Sequence, residues 1–130
     1  MKPDPKLRRI APDEMPDDIA SAWRHSMDLR GDATFFEVFA NHPELYRWYV
    51  NQFYGDVFRG GKVAQRYKEL LRLRLSTLHG CRFCNQGNRL DALKAGLTEA
   101  QIVAFESPES GPFTPAELAV LALGTELALT

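Results

Sequence analysis

Cysteine is nearly absent from this chain: 130 residues contain two, Cys81 and Cys84, and they stand almost side by side. Secreted disulfide frameworks staple distant parts of a small chain, so this pair does not make one and reads instead as redox or metal chemistry. Charge of one sign is also missing. Sixteen basic and seventeen acidic residues are interspersed to a net charge of −1, which excludes the concentrated field that would hold a nucleic acid or an anionic membrane. Nowhere does the chain approach the roughly 18 apolar residues of a membrane span. The first residues, Met1-Lys2-Pro3-Asp4-Pro5-Lys6, lead into alternating charge rather than an apolar leader, so a soluble cytoplasmic protein is expected. Alternating strand patterns, internal repeats and low-complexity runs are absent too, leaving an all-α chain.

What is present is 45% hydrophobic and 25% charged, enough to bury one core of ordinary size and to make residues 1–130 a single domain. The punctuation is helical. Asp13 to Pro16 offers caps for a helix whose apolar face is Ile19, Ala22, Trp23 and Met27 and which stops near Gly31. Asp32 and Thr34 can cap a short aromatic helix with Phe35, Phe36 and Phe39. Pro43 then opens a helix bearing Leu45, Trp48, Tyr49, Phe53 and Val57, ended by Gly60-Gly61. A helix from about Lys62 to His79 is closed by Gly80, and another from about Cys84 to Lys94 by Gly96. Thr98 with Gln101, and Thr114 with Glu117, have capping-box spacing, so two more helices follow. Six to seven helices are expected.

The final helix holds Leu118, Val120, Leu121, Leu123, Leu127 and Leu129, apolar on more than one side. The chain then stops at Thr130. Either a partner subunit covers the surplus, making a homo-oligomer, or the natural domain continues beyond its C-terminal end here.

Two thiols three residues apart can close a small ring, ligate half of a zinc site or exchange disulfides. In a helix turning about 100° per residue, Glu69, Leu73, Ser76 and Gly80 fall in one narrow sector leading to Cys81. The main apolar stripe, Ala64, Tyr67, Leu71, Leu75 and Leu78, lies on the other side. A half-buried Glu69 carboxylate would have a raised pKa suited to proton transfer with a thiol; the plainer alternative is a surface ion pair with Arg66 or Arg72. The thiols stand near the start of a helix, where unpaired amides favour thiolate. Zinc needs four ligands as a rule. The chain offers His25, His42 and His79, only the last of them close in sequence, and no second C-x-x-C. Two inert cysteines packed as small apolar groups are a further alternative.

The run Lys68-Glu69-Leu70-Leu71-Arg72-Leu73-Arg74-Leu75-Ser76, followed by Gly80-Cys81-Arg82-Phe83-Cys84 and Ala95-Gly96-Leu97-Thr98, resembles the carboxymuconolactone decarboxylase superfamily, specifically its alkylhydroperoxidase D-like branch. The resemblance is specific from about Asn41 to Phe105. It implies an all-helical fold assembled into trimers or hexamers, no cofactor and no metal, and a cysteine pair that reduces small peroxides or exchanges disulfides with a partner protein. By resemblance, Cys84 attacks and passes through a sulfenic acid, Cys81 resolves and donates a proton, and Glu69 begins a proton relay. The spacing of twelve residues from Glu69 to Cys81 matches the family pattern.

One departure stands out. Where the family pattern has a histidine four residues after the second cysteine this chain has Asn88, and where a histidine is sometimes found between the cysteines it has Phe83. Asparagine orients by hydrogen bonds but takes up no proton at neutral pH. Asp91, seven residues after Cys84 and on about the same helix face, is a candidate replacement base, with pairing to Lys94 as its ordinary alternative. His79 is a second candidate, or a cation at a helix C-terminus. The resemblance thus leaves two functions open, a specialised thiol oxidoreductase and a non-catalytic helical assembly module that keeps the pair without the relay. Lactone decarboxylation, the namesake reaction, does not call for two cysteines.

Overall fold

A computed structural model describes residues 6–130, and the charged start from Met1 to Pro5 lies outside them. Among the described residues there are seven α-helices and no strand, as the punctuation implies. None of these helices is long and apolar enough to cross a membrane. The chain divides into two compact units, Met1–Arg59 and Gly60–Thr130.

The first unit holds α1 (Asp17–Arg30), α2 (Thr34–Phe39), α3 (Pro43–Trp48) and a π-helical continuation, Tyr49–Phe58. Helix α1 ends where expected, because Gly31 adopts the left-handed conformation at φ 65° that a side chain would resist. Its start differs: Pro16 occupies the cap and no side chain bonds there. Its buried face also differs, comprising Ile19, Ala20 and Ser26, whereas Met27 is exposed. Ser26 goes inside because its hydroxyl donates to the Asp32 carbonyl at 2.7 Å, removing the cost of an unsatisfied buried group. Met15, Ile19, Ala20, Ala40 and Tyr46 form the core, with Trp23, Phe36 and Phe39 against it.

An ordinary helix was expected through Val57, but winding changes after Trp48. The spacing Tyr49, Tyr54, Arg59 has a period of five, which a π-helix brings into line. The Tyr49 and Tyr54 rings meet edge to face at 4.9 Å, the Arg59 amide donates to the Tyr54 carbonyl at 3.0 Å, and the Arg59 guanidinium lies 5.8 Å from the Tyr54 ring centre. Ring contacts favour this register.

The second unit is built on α4 (Gln65–Leu78), which packs against α5 (Arg82–Lys94) and α7 (Pro115–Leu129), with short α6 (Glu99–Val103) and two 3₁₀ turns between them. Leu70, Leu73, Ala92, Leu97, Phe105 and Leu121 form its core. Helix α4 starts at Gln65 rather than Lys62, following an irregular stretch through Gly61, whose φ is 79°. The stripe expected to be buried is not the most buried one. Ala64 is exposed, and Tyr67, Leu71, Leu75 and Leu78 are half-buried. Glu69, Leu70, Leu73 and Ser76 take the inner face. Two polar side chains displace leucines there because each finds hydrogen-bond partners.

Both capping boxes form as their spacing implies, at Thr98 with Gln101 and at Thr114 with Glu117. They are tied together by a half-buried arginine. Arg66 of α4 donates to Glu117 Oε1 from Nε at 2.7 Å, to Gln101 Oε1 at 2.9 Å and to the Gly96 carbonyl. Gln101 in turn donates to the Pro112 carbonyl at 3.1 Å. Burial alone would raise the Glu117 carboxyl, but hydrogen bonds from the Thr114 amide, Arg66 and the Thr114 hydroxyl outweigh it and hold the pKa below the ordinary 4.5. Helix α7 comes close to α4 at Gly124, where a Cβ would sit 3.0 Å from Arg74 Cγ and 3.2 Å from Leu71 Cδ1. Leu123, Leu127 and Leu129 point outward and are exposed, in keeping with a helix apolar on more than one side.

Candidate active site

Gly80, at φ 62°, stops α4 and turns the chain so that α5 can start two residues later. The Gly80 amide donates to the Thr77 carbonyl and the Cys81 amide to the Ser76 carbonyl, both at 3.0 Å, closing the exposed carbonyls of the last turn of α4. Cys81 is the N-cap of α5. Its backbone is extended, and its sulfur accepts from the Cys84 amide at 3.2 Å. Cys81 and Cys84 are joined as a disulfide, with Cα atoms 5.3 Å apart, and both are half-buried. That separation lies within the range a disulfide spans.

The polar face of α4 runs up to this pair. Glu69 is 5% exposed, so the surface ion pair is not its environment. It is nonetheless ion-paired. Arg72 donates to Oε2 from Nε at 2.9 Å and from a terminal nitrogen at 2.6 Å, while Gln65 Nε2 donates to Oε1 at 2.8 Å. The same Arg72 reaches across to α5 and donates to Asp91 Oδ2 at 2.8 Å. One guanidinium thus joins two carboxylates from two helices and ties α4 to α5. Asp91 also faces Lys94, at 3.8 Å, so the ordinary alternative is met only in part and Arg72 is the nearer partner.

Seven residues on from Glu69, Ser76 is 8% exposed and its hydroxyl donates to the Leu73 carbonyl at 3.1 Å. Asn88 Nδ2, on the next helix, donates to that hydroxyl at 3.1 Å. Asn88 is one turn beyond Cys84 and is held as a bridge between helices. His79 sits at the C-cap of α4, exposed, and among the described residues its ring has no hydrogen-bond or ion-pair partner. Its position suits a cation at a helix C-terminus. Among the described residues, no three His, Cys, Asp or Glu side chains converge in a way that could hold a metal ion.

Several members of this cluster escape sequence reasoning. Gln65 carries no signal beyond its position four residues before Glu69. Arg72 is visible as a neighbour of Glu69, but its second bond to Asp91 depends on how α4 meets α5.

The sequence model of the Carboxymuconolactone decarboxylase family matches residues 43–126. The chain belongs to that family. The match contains Glu69, both cysteines, Asn88 and Asp91 and extends beyond the quoted motif through most of α7. The all-helical architecture agrees with that membership, and the alkylhydroperoxidase D-like branch is consistent with it. Comparison with curated proteins and with solved structures gives no significant match.

Proposed function

We propose that this family member is a thiol-dependent oxidoreductase whose Cys81–Cys84 pair reduces a small peroxide or the disulfide of a partner protein. The observation that carries the reading is the pair itself, which spans the N-cap and first turn of α5 as a disulfide between two half-buried residues. Helix starts stabilise thiolate, and thiolate is the reactive form. Reduction of a hydroperoxide ROOH takes two electrons and two protons from the dithiol. A thiolate sulfur displaces alkoxide from the O–O bond and becomes a sulfenic acid, the alkoxide takes up a proton, and the second thiol then expels water to close the disulfide. Family resemblance gives the attack to Cys84 and resolution to Cys81, with Glu69 supplying protons.

A second reading has its own support. Asn88 cannot carry a proton, and the Glu69–Arg72–Asp91 cluster is that of an ion-paired brace between helices. On this reading the chain is a non-catalytic assembly module, and its exposed leucines are the assembly surface. Homo-oligomerisation suits either function.

One experiment separates the two. The chain is reduced, freed of reductant, and exposed to one equivalent of an alkyl hydroperoxide. A loss of two hydrogens with both cysteines in one intramolecular disulfide supports the oxidoreductase; thiols that persist, or products that are only intermolecular or over-oxidised, favour the module.

A further inference from the structure

The two sulfurs are not equivalent, and we infer that Cys81, not Cys84, is the nucleophile of thiol–disulfide exchange in this chain, an inference that rests on the redox reading above. Cys81 occupies the N-cap of a 13-residue helix, and its sulfur accepts a hydrogen bond from the Cys84 amide at 3.2 Å. That donor is backbone, so it is available to the anion whichever side chain follows at position 84. A negative sulfur at this place gains both the bond and the favourable end of the helix dipole. Cys84 lies inside the first turn and has spent its own amide on Cys81. One turn further on, where a base would activate it, stands Asn88, whose Nδ2 is engaged by Ser76 and which takes up no proton. Cys81 is thus activated by its place on the helix, while Cys84 lacks the base its attack would need.

The exchange balances as follows. The Cys81 thiolate attacks one sulfur of a partner disulfide; that S–S bond breaks, a mixed disulfide forms, and the departing thiolate takes a proton from water. Cys84 gives its proton to solvent and its sulfur attacks Cys81 Sγ. The Cys81–Cys84 bond forms, the mixed disulfide breaks, and the second partner thiolate leaves and is protonated. The partner gains two electrons and two protons, which the pair loses.

Two measurements test the order of reactivity. In the first, the reduced full-length chain is treated with substoichiometric iodoacetamide at about pH 6, where thiolate fraction limits the rate, and digested with trypsin. Cleavage at Arg74, Arg82 and Arg89 puts Cys81 in Leu75–Arg82 and Cys84 in Phe83–Arg89, so each is counted separately. In the second, Cys84→Ser and Cys81→Ser are reacted with an aromatic disulfide reagent, dithiobis-nitrobenzoate. Below both pKa values, each unit of lowering raises thiolate about tenfold while nucleophilicity falls about threefold, so each unit nets about a threefold faster rate. The expected result is label on Cys81 first and a Cys84→Ser variant at least about threefold faster than Cys81→Ser. Cys84 labelled first, or Cys81→Ser as fast or faster, overturns the assignment and leaves the redox reading standing. If neither thiol reacts in either measurement, the redox reading fails and the assignment with it.

Discussion

Removing the Glu117 carboxylate should unfasten the second unit. The side chain is 3% exposed and does two jobs: it closes the capping box of α7 by accepting from the Thr114 amide at 2.8 Å and hydroxyl at 3.1 Å, and it pairs with Arg66 at 2.6 Å. Loss of a cap costs about 1 kcal/mol. Breaking a buried ion pair from one side costs roughly 3–5 kcal/mol, but the Arg66 side chain is 31% exposed, and water screens part of that. Glu117→Ala should therefore destabilise by about 2–4 kcal/mol, and Glu117→Gln, which keeps the shape and loses the charge, by about 1–2 kcal/mol. The assay is urea unfolding followed by far-UV circular dichroism, because both tryptophans, Trp23 and Trp48, lie in the other unit and fluorescence would not report on this one. The pH dependence has a fixed sign. The folded carboxyl titrates below 4.5, so its stabilisation is complete above that value and is lost as pH falls through the lower folded value. The gap between wild type and Glu117→Gln should be constant at neutral pH and shrink on acidification. A gap under about 0.5 kcal/mol, the range of ordinary surface changes, or one that widens in acid would refute the reasoning.

Arg72→Met leaves Glu69 buried without its cation and should cost about 2–4 kcal/mol; adding Glu69→Gln should recover part of the loss, and strict additivity of the two changes in urea unfolding would argue against a shared cluster. Asn88→His places a proton carrier one turn after Cys84 and should raise the rate of hydroperoxide-driven disulfide formation by about one to three powers of ten, with the gain vanishing in Cys84→Ser and shrinking in Glu69→Gln; an unchanged rate in a well-folded variant would show that the missing imidazole is not limiting. Sedimentation at micromolar concentration should find an oligomer, with Leu123, Leu127 and Leu129 among the residues covered, and a folded monomer would reject that use of the exposed leucines.

The parts of this molecule legible in its sequence are those governed by local chemistry. Gly31, Gly80 and Gly96 end helices because their left-handed backbone is a local choice, and the two capping boxes form because a hydroxyl and a carboxylate or amide three residues apart meet in any first turn. The C-x-x-C pair and its place at a helix start were legible for the same reason. What escaped depends on partners far along the chain. Arg66 reads as a surface charge until it meets Glu117, 51 residues away. Leucine spacing on α4 ranks the stripe through Leu71 and Leu75 first, and that stripe is half-buried, but the Glu69 side lies deeper because Glu69 and Ser76 find donors in Gln65, Arg72 and Asn88. The π-helical winding of Tyr49–Phe58 is not visible in apolar spacing at 3.6 residues per turn, because it brings together Tyr49 and Tyr54, five residues apart.

The central claim is that the Cys81–Cys84 pair turns over. The most direct measurement is consumption of an alkyl hydroperoxide by catalytic amounts of the chain with excess dithiothreitol, read as oxidised dithiothreitol formed and compared with the same mixture lacking protein. Many equivalents of hydroperoxide consumed per chain, with the rate falling to the uncatalysed level in the Cys81→Ser, Cys84→Ser double variant, is the predicted result. A rate no greater than the protein-free blank, from chain that is folded and fully reduced at the start, would contradict it.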